Sequence, residues 1–283
     1  MANNIKSEKH HWWPQCVSKR WFNNKNEIHQ LPWNGHYIPL QTSTKKFGAI
    51  GNAHTIKYST YPTEWDESFE NFFAVADGNF PNILDWLIDL QGKQLSLQEE
   101  HENFDILLEC LLSLVVRSPR FRNQQKLNVN IITGQKVEEN LIKLNQKPAL
   151  DHFMNELRGQ GKFAVLFSKE KEFIFGDGFY HNFTHSFGNL EERRMIVPLL
   201  PNMCVFYNRP ISSRRYPRLV TKELSKDDVD FINETTMAYS RDFIFYKSQK
   251  PVITKNFSDR KFFEYNPSNG GDPIIKAFAE VFK

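Results

Sequence analysis

Along residues 96 to 118 the large apolar side chains fall at Phe104, Leu107, Leu108, Leu111, Leu112 and Val115. Steps of three and four residues put them on one face of a helix. Ser96 followed by Glu99 has the form of a capping box, and Pro119 disfavours the α conformation at the residue before it, so the pattern predicts a helix closed by Ser118. Upstream, Pro62 and Thr63 precede Glu64, Asp66, Glu67 and Glu70, a helix start with carboxylates near the positive end of the dipole. That helix is expected to run to about Ala76, to be broken at Asp77, Gly78 and Pro81, and to resume over Asn82–Leu90. Two further helical stretches are predicted, Val137–Leu144 and Ala149–Arg158, the second stopped by Gly159 and Gly161.

Beyond Gly161 the period changes. Phe163–Phe167 and Glu172–Phe175, separated by four polar residues, predict a β-hairpin, and Met195–Val197 and Met203–Tyr207 predict two strands around the turn Pro198-Leu199-Leu200-Pro201. Ser225 and Asp228 cap a helix expected from Lys226 to about Tyr246, and a short helix over Pro273–Phe282 closes the chain. With no internal repeat or low-complexity linker, residues 1–283 are expected to form a single α+β domain, with central helices packed on a small, mostly antiparallel sheet. Its parts are an irregular Trp-rich N-terminal segment (1–60), a helical part (61–160), a sheet part (161–220) and C-terminal helices (225–283).

The 283 residues are long enough for a sizeable core, and 25 Phe, 6 Trp and 9 Tyr supply it. The longest apolar stretch, Ile106–Val116, is interrupted by Glu109 and too short for a membrane span, and Met1–Gln15 lacks the apolar core of a signal peptide. Three isolated cysteines, Cys16, Cys110 and Cys204, form neither a disulfide framework nor a Cys-x-x-Cys site, so the expected compartment is the cytoplasm. A net charge of +3 is too mild to mark a nucleic-acid binder by itself, so any such contact must rest on local clusters. Arg117, Arg120 and Arg122, Arg193 and Arg194, and Arg214 and Arg215 are the candidates.

Candidate chemistry begins at His10, His11, Trp12, Trp13, Pro14 and Gln15. Adjacent histidines in an extended segment face opposite ways, so one of them can address a site, and His11 is the choice as metal ligand or general base. A packed, hydrogen-bonded histidine is the plainer account. Glu67 shares a helical face with Glu64 or Glu70, and such carboxylate pairs can hold Mg²⁺ or Mn²⁺; dipole complementation at a solvated first turn is the alternative. Asp177, set between Gly176 and Gly178 at a strand end, could join His181 and His185 in a metal set or simply mark a turn. Asn233, Met237 and Arg241 recur at four-residue spacing on the late helix, facing a site or satisfying buried backbone groups. Phosphate-binding glycine loops and a Gly-x-Ser-x-Gly elbow are absent, which disfavours nucleotide-directed and serine-hydrolase chemistry.

Taken in order, these elements resemble a bacterial family, domain-of-unknown-function family 4238. The likeness rests on His10, His11, Pro14 and Trp21-Phe22, a carboxylate-bearing helix at Glu64–Glu70, Arg117-Ser118-Pro119, the Asp177 strand end, Pro198-Leu199-Leu200-Pro201 and Asn233, spanning about residues 9–247. The chain departs from the family pattern in having Trp12-Trp13 for an aromatic-aliphatic pair and Gly-Asp-Gly for Ser-Asp-Asn-Pro. The resemblance implies a bacterial accessory protein of the kind found among anti-phage defence genes, and it carries over His11, Gln15, Arg117 and Asp177 as site residues. The reading that follows is a metal-dependent hydrolase, a nuclease, with His11 as ligand or base, Asp177 and Glu67 or Glu70 on Mg²⁺ or Mn²⁺, and Arg117 on phosphate. The alternative is a non-catalytic sensor or binding module, in which the same histidine and aspartate fix a polar core and surface Trp and Arg residues bind a partner. Nucleic acid and a protein are the partner classes expected, and a membrane is not.

Overall fold

The computed structural model describes residues 9–40, 47–51, 55–56, 67–68, 70–134, 139–183, 192–210 and 216–260. The N-terminal part runs through short elements: β1 (Lys9–His11), α1 (Gln15–Ser18) with a 3₁₀ turn to Trp21, β2 (Ile28–Pro32), β3 (Ile38–Leu40), β4 (Ala49–Gly51), β5 (Thr55–Ile56) and β6 (Glu67–Ser68). The helix expected up to Ala76 is corrected within the described residues. Glu67 lies in strand β6, Glu70 opens a 3₁₀ turn to Phe73, and Glu64 and Asp66 fall outside the described residues.

Helix α2 (Ala74–Asp89) passes straight through Gly78 and Pro81, where a break is expected from sequence. A proline in a helix removes the bond to the carbonyl four residues back, here that of Asp77. The Cys16 thiol lies 4.0 Å from this carbonyl as its donor, and the Cys110 thiol donates to the neighbouring Ala76 carbonyl at 3.5 Å, so side chains satisfy the bent turn. Strand β7 (Ser96–Leu97) takes the residues read as a capping box, and α3 (Asn103–Arg117) starts only afterwards. Its end at Ser118 agrees with the sequence pattern, but Pro119 is also the first residue of α4 (Pro119–Thr133), with the Ser118 hydroxyl accepting from the Phe121 N–H at 3.2 Å. The two predicted stretches that follow form one helix, α5 (Glu139–Leu157).

The remaining elements are β8 (Lys162–Phe167), β9 (Phe175–Gly176), β10 (Tyr180–His181), β11 (Arg193–Leu200), β12 (Met203–Arg209), β13 (Leu219–Glu223), α6 (Lys226–Ala238), β14 (Phe243–Tyr246) and α7 (Lys255–Ser258). Six strands form a sheet in the order β10-β11-β12-β8-β13-β7, antiparallel except for the parallel pair β8–β13. A four-stranded antiparallel sheet has the order β3-β2-β14-β9. The hairpin expected between Phe163–Phe167 and Glu172–Phe175 therefore does not form: β8 lies between β12 and β13, while Phe175 pairs with Phe245 in the other sheet. Likewise Phe243–Tyr246 is a strand and not the end of a long helix, although the Ser225–Asp228 capping box is present. Pro273–Phe282 lies outside the described residues.

This α+β architecture buries the apolar faces of α2 and α3, the six-stranded sheet, Trp13 and Trp21 in one continuous core. A smaller core of Leu31, Ile174, Met237, Ile244, Tyr246 and Phe257 joins α6 and α7 to the four-stranded sheet. Most of the phenylalanine excess is thus packing. Among the described residues no helix is long and apolar enough to cross a membrane.

Candidate functional site

The sequence motifs meet where α3 turns into α4. Arg117, the last residue of α3, is 1% exposed. Its Nε donates to the Ser113 carbonyl at 3.1 Å; one terminal nitrogen reaches Asp77 Oδ2 at 3.0 Å and the His11 carbonyl at 3.4 Å. The other reaches Asp77 Oδ1 at 2.6 Å and Ser113 Oγ at 3.2 Å. A guanidinium has five N–H donors, and five acceptors meet it here, with the Phe73 ring 4.7 Å below its centre. Only a planar fork satisfies this arrangement, which binds α2, α3 and β1 into one unit.

On the far side of Ser118 and Pro119, the Arg120 N–H donates to the backbone carbonyl of Asp177 at 3.0 Å. The Asp177 side chain, 4% exposed, accepts the Arg241 N–H at 2.6 Å and the Asp242 N–H at 2.9 Å, one on each oxygen. It therefore ties β9 to the loop between α6 and β14. Burial pushes its carboxyl up to about 6; the two N–H groups pull it down, the nearby Asp242 charge raises it, and Arg120 lowers it. The flanking glycines follow from close approach. A Cβ on Gly176 would stand 1.7 Å from Ser240 Oγ, and one on Gly178 2.4 Å from Arg120 Cβ and 2.8 Å from the Tyr239 carbonyl. Above this loop the Arg120 guanidinium lies 5.1 Å from the centre of the Tyr239 ring.

The tryptophans of the N-terminal motif dock on the same strand. Trp13 stacks on Phe175 with centroids 4.4 Å apart and on Phe179 at 5.5 Å, while Trp21 Nε1 donates at 2.9 Å to the carbonyl of Leu199, which lies in β11, the turn expected over Pro198–Pro201 falling at Pro201-Asn202 instead. Gly48, at φ +68°, brings its carbonyl to the Trp12 N–H at 2.7 Å, and a Cβ there would sit 2.7 Å from Trp13 Cβ. Asn233 bridges backbone groups, accepting from the Ile174 N–H at 2.9 Å and donating to the Glu172 carbonyl at 3.0 Å.

The fate of each predicted residue is now plain. His11 is half-buried at the end of β1 and meets Arg117 through its carbonyl; Gln15 opens α1. His11 and Asp177 thus flank the same helix junction through their backbones, by way of Arg117 and Arg120. Glu67 and Glu70 do not share a helix, which removes the geometric basis for the carboxylate pair. Among the described residues no group of three or more His, Cys, Asp or Glu side chains is placed to hold a metal. His181 is buried, with ring contacts to Phe121 and Phe183, and His185 lies outside the described residues. Arg193 and Arg209 both reach Glu156, at 2.8 and 3.0 Å, Arg194 pairs with Glu192, and Arg122 pairs with Glu139 at 2.9 Å. Arg214 and Arg215 lie outside the described residues. Asp77 is the residue that sequence reasoning missed. It reads as a turn signal, and its partner is 40 positions away.

A solvent-open cleft of about 470 Å³ lies beside the Leu200-Pro201-Asn202 turn. Arg20, Lys169, Lys171 and Lys247 line it, with Glu172 as the one lining carboxylate. Glu172 is already held by the Ser248 N–H at 2.8 Å, the Ser248 hydroxyl at 2.5 Å and the Gln249 N–H at 2.9 Å. The cations lean outward: Arg20 is 3.4 Å from Asp85, Lys169 is 2.6 Å from Glu223, and Lys171 pairs with Asp230. Lys247 donates to the Arg20 carbonyl at 3.3 Å. The Arg20–Asp85 and Lys169–Glu223 pairs are exposed and worth about 0–1 kcal/mol each, so exchanging their carboxylates for a phosphate costs little, while the Lys171–Asp230 pair is part-buried.

The model of a family described as "Protein of unknown function (DUF4238)" matches residues 9–250. No curated protein and no solved structure matches the chain.

Proposed function

Since the chain belongs to the DUF4238 family, whose description assigns no reaction, we propose on the strength of its geometry that it is a non-catalytic binding module holding a nucleic-acid backbone in the Arg20–Lys247 cleft. The observation that carries this reading is the charge balance of the cleft. Four cations line the cleft with one carboxylate, whose oxygens already accept three hydrogen bonds, and the carboxylates paired with three of those cations, Asp85, Glu223 and Asp230, lie outside the lining. Phosphates entering the cleft would exchange with weak exposed carboxylate partners and release condensed counterions. Two of the residues expected to act in hydrolysis are meanwhile engaged elsewhere. Arg117 has its five donors on protein acceptors, and Asp177 serves two backbone N–H groups. In the anti-phage setting that the family resemblance implies, such a module would sense or deliver nucleic acid and leave cleavage to a partner.

The test is fluorescence anisotropy with labelled single-stranded DNA and RNA across a salt series, in chelator and in Mg²⁺ or Mn²⁺, with the probe run on a denaturing gel afterwards. Binding should weaken linearly in log salt, fall sharply for Lys171→Glu with Lys247→Glu, and leave the probe intact. Failure to bind either strand overturns the reading. Metal-dependent cleavage lost in His11→Ala or Asp177→Asn would instead establish the nuclease.

A further inference from the structure

A second cleft, of about 410 Å³, opens between the start of α2, the middle of α3 and the end of α5. We infer that it binds a small organic cation with an apolar body, such as an arylalkylammonium ion. Its inner wall is apolar: Leu150 and Met154 from α5 are buried, and the Phe72 ring is held edge-on by Phe73 with centroids 5.5 Å apart. Into this wall α3 projects Glu109, the polar residue that interrupts the longest apolar run of the sequence. No hydrogen bond or ion pair reaches the Glu109 carboxylate among the described residues, and burial, more than any neighbouring charge, raises it above the ordinary carboxylate range. Asp151 adds a second negative charge at the rim. Arg158 is the cation lining the cleft, and its Nε lies 3.7 Å from Asp105, which is not a lining residue.

Two carboxylates against the one guanidinium leave the lining net negative beside its apolar residues, although the Arg158 charge acts on Glu109 more strongly than that of Asp151. An anion is repelled, and a neutral ligand leaves Glu109 desolvated with nothing gained. An ammonium or amidinium group gives the carboxylate a charge-assisted hydrogen bond, while an aromatic or alkyl body covers Leu150, Met154 and Phe72. The volume is at the lower end of the range for small-molecule sites, which sets the size of the ligand. This cleft shares no lining residue with the cationic one, so the two readings stand or fall separately.

Isothermal titration calorimetry of the full chain with benzylamine, against benzyl alcohol as its uncharged counterpart, tests the inference. Benzylamine should bind and benzyl alcohol should not. Glu109→Gln, close to isosteric, should weaken benzylamine about tenfold or more, one charge-assisted contact being lost. Asp151→Asn, at an exposed position that cannot threaten the fold, should weaken it by a smaller factor. The inference is overturned if benzylamine shows no binding, if the alcohol binds as well as the amine, or if both variants keep the wild-type affinity.

Discussion

Asp177 gives the fold a pH dependence that can be worked out in advance. In the unfolded chain its carboxyl has the ordinary value of 3.8, and in the fold burial lifts it to about 6. Raising a carboxyl means that the folded state prefers the proton. The corresponding stability is fully present below 3.8 and is lost as pH rises through about 6. The interval from 3.8 to about 6 corresponds to about 3 kcal/mol, of which about 1 kcal/mol falls between about pH 7 and about pH 5. Above that range Asp177 stays buried and charged, supported by the Arg241 and Asp242 N–H groups and by Arg120 and opposed by the Asp242 carboxylate. Asp177→Asn removes the titration. It also turns an amide NH₂ toward one of two backbone donors, which costs about 1–3 kcal/mol at every pH. Urea unfolding followed by tryptophan fluorescence reads both effects, since Trp13 and Trp21 are fully buried. Other titrating groups are common to both proteins and cancel in the difference. The stability of the wild type relative to Asp177→Asn should grow as pH falls from about 7 to about 5, by about 1 kcal/mol. A difference that stays flat over that interval refutes the reasoning.

Arg117→Lys replaces a five-donor fork by a point charge, and should lower stability by about 1–3 kcal/mol in the same urea assay because the Ser113 and His11 carbonyls and one Asp77 oxygen lose partners while the charge opposite Asp77 is kept. Gly178→Ala should lower the melting temperature through a loss of about 1–3 kcal/mol, since its Cβ would meet Arg120 Cβ at 2.4 Å and the Tyr239 carbonyl at 2.8 Å; an unchanged melting temperature would show that Arg120 can retreat. Cys110 and Cys204 are buried and burial pushes both thiols up, so a thiolate-selective reagent at neutral pH should label them only in denaturant, with half-buried Cys16 modified slowly in the native protein.

What the sequence showed well was local. The α3 stripe, its stop at Ser118, the α6 capping box and the strands β8, β11 and β12 all follow from periodicity and from side chains within four residues of one another. Proline carries two meanings in this chain. Pro119 ends α3 and is equally a good first residue for α4, and Pro81 stays inside α2 because thiols from α1 and α3 reach the freed region. Phe243–Tyr246 is a short apolar run, and nothing in it separates a strand from a helix end until β2 and β9 are placed beside it. The site motifs were legible as a set, since His11, Arg117, Asp177 and Asn233 all lie close to the helix junction or the strand it supports. Their roles were not. Arg117 is defined by Asp77 and Asp177 by the amides of Arg241 and Asp242, and such long-range partners leave no trace in spacing.

The order β3-β2-β14-β9 has a consequence for synthesis. Strand β14 is the central piece between β2, more than two hundred residues before it, and β9. Until the ribosome has released Phe243–Tyr246, β2 and β9 have no common partner, and the Trp13–Phe175 stack rests on a sheet that cannot close. Local partners form early, β1 with β4 and Phe22 with Phe47, but the stack of Trp13 waits for Phe175 and the closing of its sheet waits for β14, so the N-terminal segment is completed by residues from the last third of the chain.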